Sequence, residues 1–180
     1  MSVIVAKIID NTIYISSDSI RVKGWTKINN NGNKITKLEE YNGLIMGGCG
    51  LAEETSLFFH YIKTHSPEMA TEKGILDFII NFRKWKQDFT NDYNLSNEYI
   101  LAYQGKCFSI ENCLVSEITD YTAIGAGMDY ALGALHHGAT SEEAVKAACD
   151  LCAFVSEPIK TKTMKRKLTN NEISINKQTK

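Results

Sequence analysis

Ser2, Asp18 and Lys34 recur at intervals of sixteen residues. A serine hydroxyl is a weak nucleophile at neutral pH and needs a base held beside it. Loss of Met1 would leave such a hydroxyl and a free α-amine on one residue. That amine, with an unperturbed pKa of about 8, can serve as the base directly or through one water. A lysine ammonium nearby lowers the amine's pKa by like-charge repulsion, and an aspartate keeps the lysine charged and oriented. Each residue alone has an ordinary reading: an N-terminal serine, a turn aspartate at a strand end, a surface lysine. Their joint spacing points to nucleophilic acyl transfer.

The elements that must position these residues are legible from patterning. Val3 to Ile9 and Thr12 to Ser17 flank Asp10-Asn11 and read as a β-hairpin. Residues 22–33, polar and rich in Asn and Gly, read as a loop. Lys34 to Leu38 and Gly43 to Met46 read as two more strands, followed by the backbone-permissive turn Gly47-Gly48-Cys49-Gly50. A helix fits Leu51 to Ile62, and a second is expected to begin near Ser66-Pro67-Glu68. Tyr99 to Gln104, Cys107 to Ile110, Leu114 to Val115 and Tyr121 to Ile124 read as strands. A third helix fits Asp129 to His136, and Thr140-Ser141-Glu142-Glu143 is a capping box opening a fourth. The order strands, two helices, strands, two helices predicts an α+β fold: a four-layer αββα sandwich of two antiparallel sheets flanked by helix pairs. Ser2 begins the first strand, Asp18 ends the second and Lys34 begins the third, so adjacent strands can bring all three to one sheet edge.

Ser2-Val3-Ile4-Val5, Ser17-Asp18-Ser19 and Asn33-Lys34-Ile35-Thr36-Lys37-Leu38 together resemble the proteasome β-subunits, and more closely their bacterial relative HslV. The resemblance extends through Ala123 to Leu135 and through Ala148-Cys149-Asp150-Leu151-Cys152, covering residues 2–157 as one N-terminal nucleophile hydrolase domain, with 158–180 a polar tail, a short strand or disordered. It implies Ser2 as nucleophile, Asp18 as orienting acid, Lys34 as the lysine that tunes the amine, and Asp150 as a second acid behind the site. Gly48, or Cys49 one residue on, would supply the oxyanion-binding N–H. It also implies a structural sodium on the backbone carbonyls of Cys149, Cys152 and Val155, with no required cofactor. Three positions depart from the family: Ser2 replaces threonine, Ala126 replaces a serine whose hydroxyl would bond the amine or the catalytic water, and Val155 replaces threonine.

The implied function is a self-compartmentalising, threonine-type endopeptidase: a homo-oligomeric ring cleaving peptides or unfolded protein. The chain has no Gly-x-x-x-x-Gly-Lys-Ser/Thr loop, so a separate ATP-dependent unfoldase would feed it. Apolar side chains from Leu57 to Ile62 and in the second helix are expected to face neighbours in that ring. A non-catalytic or weakly active shell or scaffold subunit of the same fold, and a small-molecule amidase using the same chemistry, are the competing readings. A net charge of −1 points away from nucleic acid and anionic membranes. Val3 to Ile9 is short and contains Lys7, unlike a signal peptide, and no apolar run approaches the ~20 residues of a membrane span. Five cysteines without a regular framework suggest reduced thiols and a cytoplasmic setting. Cys149 and Cys152 read as core thiols, and Cys49, in the glycine turn, as the thiol best placed to react.

Overall fold

The apolar run at the start of the chain is buried on both faces, which is why it reads Val-Ile-Val-Ala rather than alternating with polar residues. Val3 and Val5 face one apolar cluster while Ile4 and Ala6 face another. The structure, a computed structural model, describes residues 1–28 and 37–167.

Strands β1 (Ile4–Ile9) and β2 (Thr12–Ser17) form the predicted hairpin, with Ile4 opposite Ser17. The loop expected over 22–33 instead holds a small hairpin, β3 (Arg21–Lys23) and β4 (Thr26–Ile28), turning at Gly24-Trp25. β5 (Leu38–Tyr41) and β6 (Leu44–Cys49) follow. The strand expected from Lys34 is described from Leu38 onward as β5, and Lys34 lies outside the described residues. Helix α1 (Ala52–Tyr61) comes next, then α2 (Glu72–Thr90). α2 begins at Glu72 because the Thr71 hydroxyl accepts the Gly74 N–H as N-cap, leaving Pro67 in the preceding loop. β7 (Glu98–Tyr103), β8 (Lys106–Glu111), β9 (Leu114–Ile118) and β10 (Tyr121–Ile124) lead to α3 (Met128–His136) and α4 (Ser141–Leu151). The capping box at Thr140 and Glu143 is present with both reciprocal bonds. β11 (Lys160–Lys165), from the segment read as a tail, pairs along the whole of β2.

One sheet has the order β10-β1-β2-β11 and the other β5-β6-β7-β8-β9, every pairing antiparallel. Three apolar clusters separate four layers. Ile4, Ile13 and Ile15 meet Leu38, Ile45 and Ile100 between the sheets. Phe58, Ile62, Phe78 and Phe82 of the first helix pair cover Met46, Tyr99 and Leu101. Ala131, Leu135, Ala144 and Val145 of the second pair cover Val3 and Val5. This is the predicted αββα sandwich. Phe58, Tyr61 and Ile62 are consumed by packing against α2, so the α1 face expected to seek another subunit is already core.

Candidate active site

The β1–β2 register places the head of β1 against the end of β2. The Asp18 carboxylate, completely buried, accepts the Val3 N–H at 3.0 Å on one oxygen and the Ile20 N–H at 3.3 Å on the other. Its third partner is Lys37, whose Nζ lies 2.7 Å from Oδ2 with both side chains inside the protein. Counting from Ser2 singles out Lys34, but Lys37 is the lysine at Asp18. The block Lys34-Ile35-Thr36-Lys37-Leu38 offers two lysines, each followed by an apolar residue. Only the pairing of Leu38 with Gly47, which starts β5, distinguishes them. Burial pulls the Lys37 ammonium below its ordinary value, against the raising influence of Asp18.

Ser2 is itself buried, 4% exposed, and its Oγ donates to the Met1 carbonyl at 2.6 Å. Its own carbonyl accepts the Gly127 N–H at 3.2 Å. Gly125, at φ +91°, presses on the same group: a Cβ there would come within 2.5 Å of the Ser2 carbonyl oxygen and 2.7 Å of Cys49 Sγ. In the sequence this Gly-Ala-Gly stretch is only part of the block Ala123 to Leu135 that carries the resemblance; its clasp on the backbone of Ser2 has no signal in residue type. Ala126 carries no hydroxyl, and its carbonyl accepts the Cys152 thiol at 3.5 Å.

Ser2, Lys37, Gly48, Gly50 and Thr55 line one cleft of about 770 Å³, together with Ile20, Arg21 and Val22 at the start of the β3–β4 hairpin and Leu51, Glu53 and Phe59 of the α1 segment. Gly48 must be glycine, since a Cβ would sit 2.8 Å from the Tyr99 ring. Its N–H points toward β5 and donates to the Lys37 carbonyl at 3.3 Å, a long bond. Alternation along β6 turns the Cys49 N–H toward β7 instead, and Cys49 does not line the cleft. The Cys49 thiol is buried, and desolvation lifts it from 9.0 to about 12, which disfavours the reactive thiolate at neutral pH.

Asp150 is not brought to this site. It stands exposed on α4 and pairs with Lys146 at 3.0 Å, one helical turn away. Cys149 and Cys152 are half-buried at the end of α4. The Cys152 carbonyl accepts the Val155 N–H at 3.2 Å and keeps a second lone pair. Among the described residues no three His, Cys, Asp or Glu side chains gather as a metal cluster, and no helix is long and apolar enough to cross a membrane.

No family model and no curated protein matches the sequence. Solved structures do match the fold. BPH of Thiobacillus denitrificans, a bacterial proteasome homologue, superposes with a TM-score of 0.83 at 17% identity, over 93% of this chain and 100% of that one. The same protein in complex with Epoxomicin gives 0.79 at 17% identity, over 92% and 100%. Eukaryotic HslV from Trypanosoma brucei gives 0.65 at 18% identity, over 91% and 99%. The chain therefore has the HslV-like proteasome β-subunit fold.

Proposed function

We propose that this chain, which has the fold of HslV and of the bacterial proteasome homologue, is a peptidase of the N-terminal nucleophile class with Ser2 as its nucleophile. The observation that carries the reading is the buried Asp18–Lys37 pair, held at the head of β1, whose lysine lines one cleft with Ser2. Removal of Met1 frees the Ser2 amine and the Oγ that otherwise donates to the Met1 carbonyl. The amine takes the Oγ proton as Oγ attacks the scissile carbonyl. The Lys37 ammonium keeps the amine's pKa down, so that more of it is neutral at pH 7. The Gly48 N–H, exchanging its long bond to Lys37 for the substrate, stabilises the oxyanion. The proton passes to the leaving amine, and water then hydrolyses the Ser2 ester.

Lys37 thus takes the role that spacing assigned to Lys34, and Asp150 has no part in the chemistry. A sodium ion, if bound, would use the carbonyls of Cys149, Cys152 and Val155 and would brace the end of α4 without entering the reaction. In the assembly we propose, copies of the chain form a ring in the cytoplasm, supplied with unfolded protein by a separate ATPase. Exposed Trp25, Leu51, Leu114 and Leu151 are candidate contacts for that ring. Ala126 favours one second reading, a weakly active or shell subunit, because the amine lacks a hydroxyl partner at that position.

One experiment separates these readings. A peptidyl sulfonyl fluoride is added to purified protein and intact mass is measured, alongside hydrolysis of short fluorogenic peptides. The expected result is loss of Met1, one label on Ser2, and no label or hydrolysis in Ser2→Ala. Retained Met1 in active protein, or unchanged hydrolysis by Ser2→Ala, would overturn the mechanism. A folded ring that neither labels nor hydrolyses would establish the shell reading, and an active monomer the amidase reading.

A further inference from the structure

Asn97 and Glu98, consecutive at the start of β7, each reach a different backbone segment bordering Ser2. The Asn97 side chain takes Leu51 at both ends: its Oδ1 accepts the Leu51 N–H at 2.5 Å and its Nδ2 donates to the Leu51 carbonyl at 2.8 Å. The same Nδ2 donates to Thr55 Oγ1 at 2.9 Å. These contacts fix Leu51, just past the end of β6, and the first turn of α1, which form one wall of the cleft. Glu98 projects from the opposite face of the strand, and its Oε2 accepts the Gly125 N–H at 3.1 Å. Gly125 is the residue whose backbone abuts the Ser2 carbonyl and the Cys49 thiol.

The strand start is anchored in turn. Glu54 Oε1 accepts the Asn97 N–H at 2.9 Å and the Tyr99 hydroxyl at 3.0 Å, and the Glu54 carboxylate also accepts the Ser96 N–H. Lys86, buried on α2, neutralises Glu54 at 2.8 Å. Such a saturated polar network holds one geometry. Neither Asn97 nor Glu98 stands out in the sequence, and neither lines the cleft.

We propose that Asn97 and Glu98 are positioning residues that set the spacing between the oxyanion-side turn and Ser2. The proposal rests on the peptidase reading for its catalytic consequence, while the positioning itself is independently measurable. Misplacement of a reacting group by about 1 Å can cost a hundredfold in rate.

The test compares Asn97→Ala, Glu98→Ala and Glu98→Gln in the full, assembled protein, with Lys106→Ala, a half-buried residue of β8 that pairs with Glu117 away from the cleft, as control. Peptide hydrolysis gives kcat and KM, and amide hydrogen exchange reports on Leu51 and Gly125. The expected result is a tenfold to hundredfold fall in kcat for Asn97→Ala and Glu98→Ala, with KM changed less than threefold. Glu98→Gln, whose amide oxygen can still accept the Gly125 N–H, recovers most of the rate. Exchange rises at Leu51 in Asn97→Ala, and at Gly125 in Glu98→Ala but not in Glu98→Gln. Equal losses in the two Glu98 variants, or unchanged exchange at Leu51 and Gly125, would overturn the proposal. If Glu98→Ala does not fold, Glu98→Asp, one methylene too short, takes its place with the same expectations. If the wild type shows no Ser2-dependent hydrolysis, the peptidase reading falls and the exchange data alone decide whether these residues hold the two segments.

Discussion

Two buried lysines, Lys37 and Lys86, each lie within 2.8 Å of a buried carboxylate, yet their surroundings differ. Lys86 is saturated: besides Glu54 it donates to the Asn94 carbonyl and to Asp92, and Glu54 is filled by two backbone N–H groups and a tyrosine hydroxyl. The Lys37 ammonium has Asp18 as its single hydrogen-bond partner among the described residues, and Lys37 borders the cleft with Ser2. A saturated buried pair can only hold structure, because every valence is spent internally. A pair with unused donors beside a cavity can act on what enters that cavity. The difference separates a structural ion pair from a candidate catalytic one without reference to either sequence position.

The contrast is broken most directly at Lys37. Lys37→Met should lower Ser2-dependent hydrolysis about a thousandfold, as loss of one member of a nucleophile–base unit does, while the protein remains folded by circular dichroism. Wild-type kcat/KM should rise with pH as the Ser2 amine loses its proton. It should fall again below pH 10.5 as Lys37, whose pKa burial lowers, loses its own. An intact rate in Lys37→Met would erase the distinction between the two lysines.

Lys86→Met should show the opposite pattern. Removing one partner of a buried pair costs about 3–5 kcal/mol of stability, read as a lower urea midpoint, whereas the rate per folded molecule should fall less than tenfold. A smaller stability loss than that of Lys37→Met would invert the comparison.

The buried thiols sharpen it further. Burial raises both Cys49 and Cys107 from 9.0 to about 12. The folded state therefore holds their protons where the unfolded chain has lost them. Their contribution to stability should be complete below pH 9 and should decline between pH 9 and about 12, a trend that Cys107→Ala should lessen in alkaline urea melts. Iodoacetamide at pH 8 should label exposed Cys113 and spare Cys49, leaving hydrolysis intact; inactivation traced to Cys49 would move the nucleophile there. The smallest effect is expected at Asp150, an exposed partner of Lys146. Asp150→Asn should leave both rate and Tm unchanged, because exposed ion pairs contribute little.

Patterning alone determined the layered fold of this chain, because strand and helix periodicities, the hairpin at Asp10-Asn11 and the capping box at Thr140 are local properties. It also placed Ser2 and Asp18 near one another, at the ends of paired strands whose register leaves no slack between them. Which lysine meets Asp18 was beyond it, since residue counting does not set where β5 begins and the choice falls to the pairing of Leu38 with Gly47. Asp150 was placed by a helical phase that resemblance does not specify: two steps of about 100° around α4 carry it from the packed side that holds Ala148 to the solvent-facing side. The clasp of Gly125 and Gly127 on Ser2, and the reach of Asn97 and Glu98, join residues far apart in the chain through backbone groups. Every residue but proline carries those groups alike, so no residue type announces such contacts, and only the tertiary structure decides them.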